Sequence, residues 1–214
     1  MPIQVPPSRF HNVTSFFSGH YQCYGLNVQA VCDHECRFTY IAIAVPGGQP
    51  DITAFRRLGL MDNLRLLPLG FYLIVDNAYP PSEWLLPVFG GAERLNVDND
   101  NVNYYLSQCR IRIEMTFGMM VQKWAIFQRP LRVDLEHTGV LLETVARLHN
   151  FCINQRIRSA GDDNIKAHPQ AFAEDAPSNT GGSEILFPAE LAGSSRTREF
   201  FVQRVREFRL ARPR

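Results

Sequence analysis

The chain has 214 residues, 45% apolar and 20% charged, with a formal net charge of +1. That composition belongs to a globular protein and excludes a disordered one. The longest apolar stretch, Tyr40-Ile41-Ala42-Ile43-Ala44-Val45, is far too short to cross a bilayer. Near-neutrality does not by itself announce a nucleic-acid binder.

The start, Met1-Pro2-Ile3-Gln4-Val5-Pro6-Pro7, has no basic region followed by an apolar one. No secretory signal is visible, and an intracellular, reducing location is expected. Five cysteines at irregular spacing are a poor disulfide framework. Cys32 and Cys36, with His34 between them and His20 and Cys23 upstream, admit a zinc reading. No second close Cys or His pair follows at finger-like spacing, so ordinary hairpin side chains are the favoured reading.

Residues 1–20 read as an extended segment. Tyr24 to Cys32 is strand-like, with Leu26, Val28, Ala30 and Cys32 alternating against Asn27, Gln29 and Val31. Asp33-His34-Glu35-Cys36 reads as a turn and Arg37 to Val45 as the return strand of a hairpin. Pro46-Gly47-Gly48 ends it, and a short helix opens at Pro50 or Asp51. Phe71-Tyr72-Leu73-Ile74-Val75 then runs into Asp76 and a turn, the pattern of a strand buried on both faces. Pro80 to Leu86 reads as a capped helical turn, and Asn96 to Asn103 as a loop or helix start. Leu106, Cys109, Ile113, Phe117, Met120 and Trp124 recur at helical spacing from Tyr104 to Trp124. A last long helix is predicted from Leu135 to Arg156, with Val140, Leu141, Thr144, Val145, Leu148 and Cys152 on one face. His149 reads as a satisfied core histidine, and Trp84 and Trp124 as core anchors.

Ala160 to Ser195 carries Lys166 against six acidic residues and reads as an acidic flexible linker. From Arg196 to Arg214 there are seven Arg against Glu199 and Glu207, a basic amphipathic tail. It reads either as a phosphate-contacting segment or, slightly favoured, as a helix docked on the domain. The element order predicts an α/β protein, a mixed sheet flanked by helices.

Ligands of open α/β sheets gather beyond the carboxyl ends of the strands, which singles out Asp76. Its candidate partner is Glu114, in Arg110-Ile111-Arg112-Ile113-Glu114-Met115-Thr116-Phe117-Gly118. The competing reading is a surface glutamate paired with Arg110. Gly118 within the helix hints at close approach of another backbone or a ligand. Carboxylates converging from a strand end and a helix suit Mg²⁺, and two such ions suit phosphodiester chemistry.

Four segments in register carry a family resemblance: Leu26 to Asp33, Pro46 to Phe55, Leu73 to Pro80, and Arg112 to Gly118. With Leu148-His149-Asn150-Phe151-Cys152 near the end, the stretch from roughly Tyr21 to Gln155 resembles the DDE endonuclease domain of PIF/Harbinger-type transposases and their domesticated relatives. The resemblance implies an RNase H-like fold over 21–159 and an Asp-Asp-Glu nuclease using Mg²⁺ or Mn²⁺. It makes Asp76 and Glu114 catalytic metal ligands, with Asp51 either structural or near the metal, and Asp33 an organiser of the hairpin turn. Double-stranded DNA is the implied partner and the nucleus the implied location, with Arg110, Arg112 and Lys123 as candidate DNA contacts and a separate DNA-binding protein as a further partner. The family's first Asp lies on a strand before the hairpin, yet no Asp or Glu precedes Asp33 here. The expectation is an N-terminally truncated copy, its first strand missing or incomplete, weak or inactive in cleavage. The alternative is a non-catalytic relative acting by protein or DNA binding.

Overall fold

A computed structural model describes residues 1–4, 12–68, 70–160 and 196–213. Nearly all of the expected linker, and Val5 to Pro7, lie outside the described residues. The protein is mixed α/β. A 3-10 turn, Val13–Phe16, leads into strand β1, Phe17–Ser18, which pairs with β2, Cys23–Tyr24. The segment up to residue 20 is thus partly folded back rather than extended throughout.

The hairpin is β3, Leu26–Cys32, and β4, Phe38–Pro46, antiparallel. Asp33 makes its turn: one carboxylate oxygen accepts the amide N–H groups of Glu35 and Arg37, and the other takes the Arg37 guanidinium at 2.7 Å. Burial opposes its charge, yet the Arg37 hydrogen bonds outweigh that and hold the carboxyl below its ordinary range. Gly47 and Gly48 close the hairpin against the chain's beginning. Any Cβ at Gly47 would lie 2.7 Å from Gly25 backbone, and at Gly48 2.7 Å from the Ser15 and Phe17 carbonyl oxygens. Only glycine fits there.

Helix α1, Asp51–Arg57, begins after Pro50, with Asp51 in the first turn where the helix dipole favours a carboxylate. Ala54 and Phe55 are its buried face. Gly59, at φ +61°, turns the chain into α2, Leu60–Leu64. Strand β5, Leu73–Val75, ends one residue before Asp76. Its residues are half-buried, not buried on both faces, because its pairing partner is a single parallel strand, β6, Leu85–Pro87. That strand stands where a helical turn was expected. Leu85 and Leu86 are fully buried there, and the Ser82 hydroxyl accepts the Leu85 N–H at 3.1 Å. The described strands form three two-stranded sheets rather than one mixed sheet. Met1 to Gln4 adds strand-like pairing: Ile3 is buried, bridging toward Leu131, while Pro2 bridges Gly25.

Helix α3, Val97–Lys123, has 27 residues and spans about 40 Å. The Asn96 side chain caps it by accepting the Asp98 N–H at 2.9 Å, so the Asn-rich stretch is a helix start. The helix serves two cores. Its C-terminal half supplies Ile113, Phe117, Met120 and Val121 to a cluster with Leu26, Phe38 and Leu142. Its N-terminal half supplies Val102 and Leu106 to a cluster with Leu86 and Phe89. Cys109 is exposed, unlike the other members of the predicted stripe. A third cluster joins Phe55, Leu60, Leu64 and Leu85, with Trp84 packed against it.

Helix α4, Leu135–Ala160, lies on β4. Its buried residues are Thr138, Leu142, Val145, Ala146, His149 and Ile153. The predicted face was rotated by about one position: Val145 is buried, whereas Val140, Thr144 and Leu148 are exposed. Asn150 explains the docking. Its amide accepts the Phe38 N–H and donates to the Phe38 carbonyl, both at 2.8 Å, as a neighbouring strand would. His149 is a satisfied core histidine, Nε2 donating to the Cys36 carbonyl at 2.8 Å. Helix α5, Arg196–Glu207, docks Phe201, Val202 and Val205 on the cluster at the start of α3.

Candidate active site

Asp76 follows β5 directly, and its Oδ1 accepts the Ala78 N–H at 2.9 Å, an Asx turn that fixes the carboxylate at the strand end. Asn77 packs against Gly90, where an added Cβ would come within 3.2 Å of Asn77 Nδ2. Asp51, at the start of α1, accepts a hydrogen bond from Asn27 Nδ2 at 2.7 Å.

A chain of side chains links the surroundings of these two carboxylates. Asn27 Nδ2 faces only acceptors, the Asp51 carboxylate and the Gln49 carbonyl, so Oδ1 points the other way and accepts from Gln29 Nε2 at 2.9 Å. Gln29 Oε1 then accepts from the Tyr79 hydroxyl at 2.7 Å. The polarity of the chain therefore requires Tyr79 to keep its proton. Burial first, then the charges of Asp51 and Asp76, push the Tyr79 phenol up to about 12. Tyr79, Gln29 and Asn27 were missed as site residues. Asn27 and Gln29 share one face of β3, a face that alternation alone assigns to solvent. Gln29 is only 8% exposed.

Glu114 lies on an exposed face of α3 and pairs with Arg110 at 2.7 Å, one helical turn away. Arg112 stands about 200° around the helix from both of them, on the same side as Lys123. It lies close enough to Cys32 and Cys109 for its charge to act on their thiols. Lys123 lies over the Trp124 ring at 5.5 Å. The three basic candidates do not share one face. Gly118 meets nothing within 4 Å of an added Cβ, which corrects the expectation of a close approach there.

Among the described residues, no group of three or more His, Cys, Asp and Glu side chains is placed to hold a metal ion. No helix among them is long and apolar enough to cross a membrane.

A mixed α/β chain with a carboxylate at a parallel strand end and a long helix beside it is consistent with a nuclease fold. The chain belongs to the DDE superfamily endonuclease family, which matches residues 1–150. That family is one of nucleases acting on DNA, and the superfamily generally uses divalent metals. Comparison with curated proteins and with solved structures gave no match.

Proposed function

We propose that this chain is a transposase-derived nuclease domain of the PIF/Harbinger type, with an RNase H-like ancestry. In this reading it engages double-stranded DNA in the nucleus, with a separate DNA-binding protein as partner. Asp76 and Glu114 are the second and third acids of the Asp-Asp-Glu set, and Asp51, hydrogen-bonded to Asn27, is a structural carboxylate. As this chain stands, Mg²⁺- or Mn²⁺-dependent cleavage is weak or absent. The family match over residues 1–150 and the carboxylate of Asp76, fixed at the end of a parallel strand, support the reading; among the described residues no group of three or more His, Cys, Asp and Glu side chains is placed to hold a metal ion.

Calorimetric titration of Mn²⁺ into the chain and into Asp76→Ala tests this. Indistinguishable heats are expected, whereas a binding isotherm present in the parent and lost in Asp76→Ala would overturn the proposal. An exposed apolar row on α4 favours a companion reading, a non-catalytic relative working through contacts. Val140 is 67% and Phe151 59% exposed on that helix.

A further inference from the structure

Helix α5 is held on α3 in two different ways. Its apolar face sits in the cluster of Leu86, Phe89, Val102 and Leu106. At its N-terminal end Arg198 is largely buried, stacked 3.9 Å above the Phe89 ring and paired with Glu93 at 2.8 Å. These contacts fix the helix.

The C-terminal end is different in kind. Arg206 pairs with Asp98 at 2.6 Å and Arg212 with Asp100 at 3.2 Å. Both guanidinium groups stay open to solvent, at 60% and 52% exposure. Between them Arg209 adopts a left-handed conformation at φ +52°. It ends the helix with the Leu210 N–H donating to the Val205 carbonyl and its own N–H to that of Arg206. That turn sends Ala211 and Arg212 back along α3, where Asn101 accepts the Arg212 N–H and Tyr105 donates to the Ala211 carbonyl. Arg206 and Arg212 are thereby brought to neighbouring acids at the start of α3, with Arg209 exposed on the turn between them.

Exposed carboxylate–guanidinium pairs are weak and exchangeable. A phosphate diester presents the same charge and similar acceptor geometry to a guanidinium. We propose that Arg206, Arg209 and Arg212 form a phosphate-contacting surface for duplex DNA, held in check by Asp98 and Asp100. These two carboxylates occupy Arg206 and Arg212 in the free protein, and DNA displaces them while the apolar face of α5 remains docked. The inference takes DNA as ligand from the functional reading above and does not depend on cleavage.

Fluorescence anisotropy of a labelled duplex, measured over a salt series, is the test. The double variant Asp98→Asn/Asp100→Asn is expected to bind roughly tenfold tighter with little change in the slope of log affinity against log salt, because the same phosphates are neutralised in both complexes. Asp62→Asn/Glu143→Gln, which neutralises two exposed acids paired elsewhere, with Arg65 and Arg147, is the charge-matched control. It is expected to change affinity little. Adding Arg206→Gln/Arg212→Gln to the first double variant abolishes its gain. An equal gain in the control, no gain at all, or a gain that survives loss of the arginines overturns the inference. If the parent chain binds the duplex but the Asp variants bind no better, this inference fails and DNA remains the ligand. If no variant binds, the DNA reading fails with it. Near-ultraviolet circular dichroism verifies that each variant keeps its fold.

Discussion

Glu114 illustrates how one position carries two readings that sequence spacing cannot separate. A carboxylate four residues after an arginine is a surface pair by helix geometry, and the same position matches a family motif. The pair with Arg110 is formed here, so any metal at Glu114 would first have to displace a guanidinium. Gly118, one turn further, invited a functional explanation that its surroundings do not support. With open space at its Cβ and a helical backbone, Gly118→Ala should stabilise the protein by about 1 kcal/mol, read as a higher urea midpoint with an unchanged slope. Gln29 shows the converse. Alternation along β3 reads as one apolar and one solvated face, but Tyr79, fifty residues later, covers the polar face and turns Gln29 into a buried link. Contacts of such sequence separation leave no local signal.

At the scale of elements, hairpin, α1, β5 and both long helices were legible because apolar period and turn residues agreed. The strand β6 was not. Pro80-Pro81-Ser82 looks like a helix start, and only pairing with β5 decides for a strand. The face of α4 was misplaced because Val140 and Leu148 are apolar yet exposed, while Thr138 is polar yet buried. Thr138 is satisfied by the Asp134 carbonyl, as the core histidine His149 is by that of Cys36. Asparagines do the joining between elements. Asn150 ties α4 to β4, and Asn103 ties α3 to the segment after β6 by accepting the Phe89 N–H at 2.7 Å and donating to its carbonyl at 2.9 Å. Truncating either to Ala strands two backbone groups, at a cost of about 1–3 kcal/mol by equilibrium urea unfolding. Asn103→Ala should cost more, because Asn103 is buried whereas Asn150 is half-buried.

At the scale of the whole molecule, α3 ties the parts together, one half packing under the hairpin and α4, the other under β5, β6 and α5. Family membership was legible because its motifs are short local segments kept in order along the chain. Whether they assemble a site depends on three-dimensional convergence, which local motifs do not carry. Asp76 is positioned at its strand end, Asp51 is linked through Asn27 and Gln29 to Tyr79, and Glu114 is paired with Arg110. The basic tail was legible as amphipathic; that its arginines meet Glu93, Asp98 and Asp100 was not, since those acids precede it by more than a hundred residues.

The proposed function is a DNA nuclease domain with weak or absent metal-dependent cleavage. Nicking of supercoiled plasmid by the purified chain in Mg²⁺ or Mn²⁺ tests it most directly. No conversion to open circles beyond that given by Asp76→Ala is expected. Metal-dependent nicking that disappears in Asp76→Ala would contradict it.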